Sequence, residues 1–221
     1  MEIKILKNVM IKNNAVGEDI RRKLRDSGVY SVNIVSSPGA GKTTLLENSL
    51  KFFTKKHRVA VIEGDLYTSR DAERLQKFSI PIVQINTEGG CHLDARMVSG
   101  ALQELDVKEL DLIVIENVGN LVCPSSFDLG ENIRVLVYSI TEGEDKPKKY
   151  ATMFRTAHAV IINKIDLAVA CKINLNAVEA EVKEINPGCR IFKLSAVDQK
   201  SLSEWNDWLD VKIGEVKKNK N

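Results

Sequence analysis

With 221 residues, of which 43% are hydrophobic and 28% charged, the chain is long enough to close one well-filled core without disulfides. A formal net charge of +2 gives no bulk electrostatic pull toward nucleic acid or an anionic membrane. Apolar runs all fall short of membrane-spanning length and the first residues lack a signal-peptide layout, so a cytoplasmic protein is expected. In that compartment Cys91, Cys123, Cys171 and Cys189 read as thiols or metal ligands rather than disulfides.

Residues 1–12 are mixed and open to an edge strand or an ordered arm. From Asn14 to Ser27 the residues Ala15, Val16, Ile20 and Leu24 recur at helical spacing, with Asn13 or Asn14 as cap and Gly28 as stop. Residues 1–28 therefore read as an arm and helix that either covers the sheet or makes a dimer contact.

The stretch that organises the chain follows. Val32, Ile34 and Val35 form a short buried strand, residues 36–41 break into small residues, and Leu45, Leu46 and Leu50 resume at helical spacing. This is a strand, a phosphate loop and a helix. Ser37, Pro38, Gly39, Ala40 and Gly41 supply a backbone that can curl around phosphate, and the helix beginning near Lys42 aims its positive end at the same anion. Lys42 can reach the β- and γ-phosphates, Thr43 can ligate Mg²⁺, and Thr44 completes the motif. Ser36 stands where the general pattern G-x-x-x-x-G-K-[S/T] has glycine. A glycine-bearing strand-to-helix turn without nucleotide is the bland alternative.

Helix 43–53 leads to a strand at 59–62 that ends in Glu63-Gly64-Asp65, followed by a helix at 69–78 and a strand at 81–85. The glycine-bearing loop 86–92 carries Cys91-His92 and precedes a helix at 93–105. A strand at 111–116 ends in Glu116-Asn117-Val118-Gly119, and the irregular segment 123–130 precedes a strand at 133–140. A polar loop spans 141–149, a strand 159–162, a helix 175–185, a strand 190–194 and a helix 201–213, with 214–221 a frayed basic tail. Alternating strands and helices predict an α/β P-loop NTPase fold, with a mostly parallel central sheet and helices on both faces, in one domain over residues 1–221.

Asp65 and Glu116 end strands, where open α/β sheets bind ligands. They are candidate Mg²⁺ or water-orienting groups alongside Lys42 and Thr43, with solvated strand-end acids as the alternative. Glu116-x-x-Gly119 matches a switch-like D-x-x-G with Glu for Asp, so that the Gly119 N–H would sense the γ-phosphate. Asn163, Lys164 and Asp166 form an N-K-x-D run in which the Asp carboxylate can accept from guanine N1–H and its 2-amino group. The Ser195-Ala196 turn resembles the loop whose backbone N–H meets guanine O6. GTP and GDP are favoured over adenine nucleotides. Cys91, His92 and Cys123 emerge beside the same sheet edge, and N/S ligands of this kind suit Ni²⁺ or Zn²⁺, with a fourth position from water or a second subunit. Buried free cysteines are the competing reading. Asp111, His57 and His158 sit at strand starts and read as structural.

With these residues in place the chain resembles the HypB family of the SIMIBI-class GTPases, accessory proteins for nickel insertion into nickel–iron hydrogenase. The likeness runs over roughly residues 30–200 through 36–44, Glu63-Gly64-Asp65, 90–95, 116–124, 127–131, 141–147 and 163–166. Ser36 is shared with that family. The resemblance implies slow GTP hydrolysis, a homodimer around nucleotide, and metal held by Cys91, His92 and Cys123. It also implies partners in a hydrogenase maturation protein and the hydrogenase large subunit, with no nucleic acid or membrane among them. The loop with Lys146 and Lys148 would reach the partner subunit or its nucleotide. Two departures stand out: the N-terminal Cys-rich or His-rich tract of many members is missing from MEIKILKNVM, so no metal store is expected there, and Arg96 replaces a potential histidine ligand. A urease nickel GTPase shares the fold, but its Cys-Pro-His motif contrasts with Cys123-Pro124-Ser125. A small-molecule kinase and a non-hydrolysing scaffold are the rivals from other classes.

Overall fold

The run Tyr30–Ser36 is buried along its whole length, so it can only be an interior strand, and it forms β1 at the centre of the sheet. The computed structural model describes residues 5–65 and 70–218. Residues 1–4, residue 69 of the helix expected at 69–78, and the last three residues of the expected tail lie outside the described residues. Seven parallel strands, β1, β2 (Val59–Asp65), β3 (Ile82–Asn86), β4 (Leu112–Glu116), β5 (Ile133–Ser139), β6 (Ala159–Asn163) and β7 (Arg190–Lys193), stand in the order β3-β2-β4-β1-β5-β6-β7. The order reverses at β1, between β4 and β5, which is where such a sheet opens a crevice.

Eight α-helices cover the two faces among the described residues: α1 (Ile5–Ser27), α2 (Lys42–Phe53), α3 (Arg70–Leu75), α4 (Ala95–Ala101), α5 (Lys146–Lys149), α6 (Ala151–Thr156), α7 (Leu175–Ile185) and α8 (Ser203–Lys218). Alternation along the strands sorts them. Val32 and Ile34, with Leu112, Val114, Val135, Val137 and Ile161, meet α2 and α8 through Leu45, Leu50, Trp205 and Leu209. The opposite face holds two separate apolar clusters. One, under β2 and β4, packs on α1 and α4; the other, under β5 and β6, packs on α6 and α7.

Between those two clusters runs a buried polar seam. Asn33 of β1 donates to Glu131 Oε1 (3.1 Å) and accepts from Asn117 (3.3 Å). Glu131 also accepts the Leu129 N–H. Arg134 of β5 meets Glu131 through Nε and Nη2, the carbonyls of Ser125 and Phe127, and the Thr156 hydroxyl. Four guanidinium N–H groups thus have a hydrogen-bond acceptor, and Nη2 also lies 3.1 Å from Glu131 Oε1, the kind of satisfaction that burying an ion pair requires.

Several expectations change. The first helix begins at Ile5 and not at Asn14, because Asn13 is a buried cross-tie rather than a cap: its side chain donates to Asp128 O and accepts from Ala95 N, both at 2.8 Å. Ile20 and Leu24 cover the sheet. The helix expected at 93–105 shortens to α4, capped by Asp94. The expected loop 141–149 is a 3₁₀ turn at Ile140–Glu142, closed by a reciprocal Ser139–Glu142 capping box, and then α5, which has proline in its first turn. Helix α6 was not foreseen, since six residues are too few to display a period. The tail is helical through Lys218, with Val216 on the core and Lys217 Nζ 3.1 Å from Asp111.

Asp111 joins three parts of the chain. It accepts from the Arg58 backbone N–H (2.8 Å) and guanidinium (3.2 Å) and from Lys217. Burial alone would push its pKa up, but these donors lower it to about 2. A lowered carboxylate pKa gives stability that is present above the unfolded value of 3.8 and lost as pH falls toward about 2. Asp111→Asn is expected to cost about 1–2 kcal/mol at pH 7. In denaturant titrations the gap from wild type should narrow steadily below pH 4; a pH-independent gap would contradict this assignment.

Candidate functional site

At the carboxyl ends of β1, β2 and β4 a cleft of about 420 Å³ is lined by the 38–44 loop, by Glu63 to Asp65, by Arg74 and by Glu116 to Gly119. Gly41 takes φ +101°, and a Cβ there would lie 2.6 Å from the Asn163 side chain, so only glycine fits both the backbone turn and its neighbour. Helix α2 starts immediately afterwards and directs its N-terminal N–H groups into the cleft. Lys42 Nζ rests 3.1 Å from Ser36 Oγ, and Ser36 donates in turn to Ser37 O. The serine at the glycine position therefore holds the lysine at the mouth of the loop. Ser37 Oγ donates to Glu142 (2.6 Å), tying the loop to the turn after β5.

Thr43 donates to Glu116 Oε1 at 2.7 Å, and both are buried. Register places Glu63 of β2 opposite Glu116 of β4. Strand alternation then puts Asp65 on the same face as Glu63. Carboxylate and hydroxyl oxygens are the donor type that a hard cation such as Mg²⁺ prefers. Glu63 was missed by sequence reasoning; the strand's alternation, counted back from Asp65, was the signal that could have found it. The Gly119 loop lies against the phosphate loop so closely that a Cβ would sit 3.0 Å from Pro38 Cα.

The guanine-type motif lies beyond this cleft. Asn163 is buried: it donates to Ala40 O (2.8 Å) and accepts from Lys164 N and Ala196 N. Lys164 occupies φ +63° and its ammonium reaches Gly39 O at 2.8 Å. The Ser195 N–H goes to Ser201 Oγ. Both N–H groups of the Ser195-Ala196 turn have partners within the chain, Ser201 and Asn163. Asn163 braces the phosphate loop against that turn, and Asp166 is left exposed at the rim.

A second cluster lies where the 86–92 loop meets the 116–126 loop. The ligand atoms of Cys91, His92 and Cys123 all fall within 4.8 Å of one another. Cys91 Sγ is 2.8 Å from Cys123 Sγ and 3.6 Å from His92 Nδ1. Asn120 donates to Cys91 O, and the His92 ring stacks on Phe127 with centroids 4.0 Å apart. Burial lowers the His92 pKa, which favours the neutral, ligating imidazole. The hydrogen bond with Cys123, then burial, raises that of the Cys91 thiol, so a metal must displace its proton. Cys171 is exposed and Cys189 buried, both outside the cluster. His57 pairs with Asp210, and His158 Nδ1 accepts the Arg134 N–H; both are structural. Arg96 turns to Asp94, at 3.6 Å.

A phosphate loop on β1, carboxylates closing β2 and β4, and an N-K-x-D turn after β6 define a P-loop nucleotide-binding protein. The model of the CobW/HypB/UreG nucleotide-binding domain matches residues 30–193. The hydrogenase maturation factor HypB of Azotobacter vinelandii is 42% identical over 212 residues, covering 96% of this chain and 70% of that protein. The hydrogenase/urease maturation factor HypB of Helicobacter pylori is 40% identical, covering 94% and 87%. The crystal structure of HypB from Helicobacter pylori in complex with nickel superposes with a TM-score of 0.88 at 41% identity, covering 92% of this chain and 96% of that one. The chain belongs to the HypB family.

Replacing any one of Cys91, His92 or Cys123 by Ser or Ala is expected to weaken Ni²⁺ or Zn²⁺ binding by more than the ~10–100-fold that losing an outer-shell partner costs. Cys171→Ser should leave it unchanged. Calorimetric titration checks this, and a Cys91→Ser protein with wild-type affinity would remove the cluster from consideration.

Proposed function

We propose that the chain is a GTP-hydrolysing metallochaperone that carries nickel, in competition with zinc, for the maturation of a nickel–iron hydrogenase in the cytoplasm. The observation that carries this reading is one continuous loop. Residues 116–123 begin at a carboxylate bonded to the phosphate-loop threonine and end at a thiol of the metal cluster. Nickel here is cargo. The named relatives, one of them solved with nickel, support that cargo and that destination. No described helix is long and apolar enough to cross a membrane.

Hydrolysis by such a site is positioning and electrostatics. Lys42 and the N–H groups at the start of α2 offset phosphate charge. Glu116 orients Thr43, and Glu63 and Asp65 supply further oxygen donors on that face for the metal and the attacking water. Mg²⁺, when bound, would neutralise charge developing on the phosphates. Asp166 at the rim selects guanine through its two donors, while Asn163 keeps the phosphate loop and the base side in register. The Gly119 N–H reports the γ-phosphate to the loop that ends at Cys123. A homodimer, a maturation partner and the hydrogenase large subunit are the proposed protein contacts.

Single-turnover measurements check the enzyme. Wild type is expected to hydrolyse GTP in preference to ATP, Lys42→Ala to lose at least about a hundredfold in rate, and Asp166→Ala to lose the preference for guanine. Turnover equal in wild type and Lys42→Ala would reduce the protein to a scaffold, and transfer of phosphate to a small acceptor would make it a kinase.

A further inference from the structure

The cleft holds a second cation that the motif does not name. Its lining carries three carboxylates, Glu63, Asp65 and Glu116, against Lys42 and Arg74, yet a magnesium-bound nucleoside triphosphate is itself anionic, so Lys42 alone leaves the bound state short of positive charge. Arg74, on the short helix after β2, brings one nitrogen, Nη2, to 3.3 Å from Thr44 Oγ1 and 2.6 Å from Glu47 Oε2. Thr44 sits in the first turn of α2, directly after the phosphate loop, and lines the cleft. Glu47 is also bonded by Lys77, and its pKa is lowered first by that bond, against burial, with Arg74 adding to it. If Arg74 leaves, Glu47 keeps a cation.

We propose that Arg74 is a phosphate-binding residue: it exchanges the Glu47 carboxylate for a phosphate oxygen of the bound nucleotide, and Lys77 retains Glu47. The inference rests on the GTP-binding reading above. Guanidinium and phosphate match in geometry and charge, so the exchange replaces one charge-assisted bond by another. Arg74 is 42% exposed along its side chain, and a long, half-solvated arm of this kind moves without disturbing the core.

Binding of GTPγS–Mg²⁺ and of GDP to the full chain tests this. Arg74→Ala is expected to weaken GTPγS affinity about tenfold, with Arg74→Lys recovering part of it, and melting temperatures without nucleotide staying close to wild type. The decisive comparison is in a Glu47→Gln background. A phosphate contact predicts that the Arg74→Ala loss persists there, whereas a residue that acts only by pairing Glu47 would lose its effect. Unchanged affinity in Arg74→Ala, or a loss that vanishes with Glu47→Gln, would overturn the proposal. Failure of the underlying reading looks different: wild type would then bind no guanine nucleotide, or Lys42→Ala would bind as tightly as wild type.

Discussion

A buried arginine in the middle of one sheet face constrains much of what surrounds it. Arg134 sits between two apolar clusters, where an unsatisfied guanidinium N–H would cost more than the packing around it returns. Its acceptors are drawn from Glu131, from two carbonyls of the 123–127 segment and from Thr156 of α6. The backbone just after Cys123 is thereby fixed by the sheet. Through Glu131 and Asn33 the same network reaches Asn117, which accepts the Leu93 N–H one residue beyond His92. Both halves of the Cys91–His92–Cys123 cluster are set by one polar seam that also touches the start of the Gly119 loop.

The nucleotide side follows a parallel logic. Gly41 can approach Asn163 because it lacks a Cβ, and Asn163 then fastens the Ala40 carbonyl to the Ala196 N–H. The loop that must cradle an anion is therefore stiffened from behind by the turn expected to surround the base. Glu142 fastens it from a third direction through Ser37. A phosphate site held in this way needs little reorganisation on binding, and charge can be compensated by side chains at its mouth, Lys42 on Ser36 and Arg74 on Glu47.

What the sequence made legible is what local chemistry decides. The strands at β1, β2, β4, β5 and β6 announce themselves as β-branched runs, and the phosphate loop and N-K-x-D turn have residue types that few other structures require. Cys91, His92 and Cys123 read as neighbours because each segment follows a parallel strand. Features decided by distant partners were not legible. Asn13 reads as a cap because asparagine favours helix ends, but bonds to Asp128 and Ala95 hold it inside a helix. The bond from the Ala196 N–H to Asn163 joins residues 33 apart in the chain, and no local pattern announces it. The basic tail reads as solvated, but Val216 and Lys217 find the core and Asp111. Glu131 and Arg134 carry no local mark of the seam they form, because their partners come from distant parts of the chain.

Whether the two sites share one equilibrium is the central question, and the affinity of the full chain for nickel answers it most directly when measured with GTPγS–Mg²⁺, with GDP, and without nucleotide. Coupling through residues 116–123 and the seam predicts affinities that differ between the triphosphate and diphosphate states by a factor of about 5–150, with nickel changing nucleotide affinity by the same factor. Equal nickel affinity in all three states would contradict the account and leave a GTP-binding site and a metal site that merely share a sheet edge.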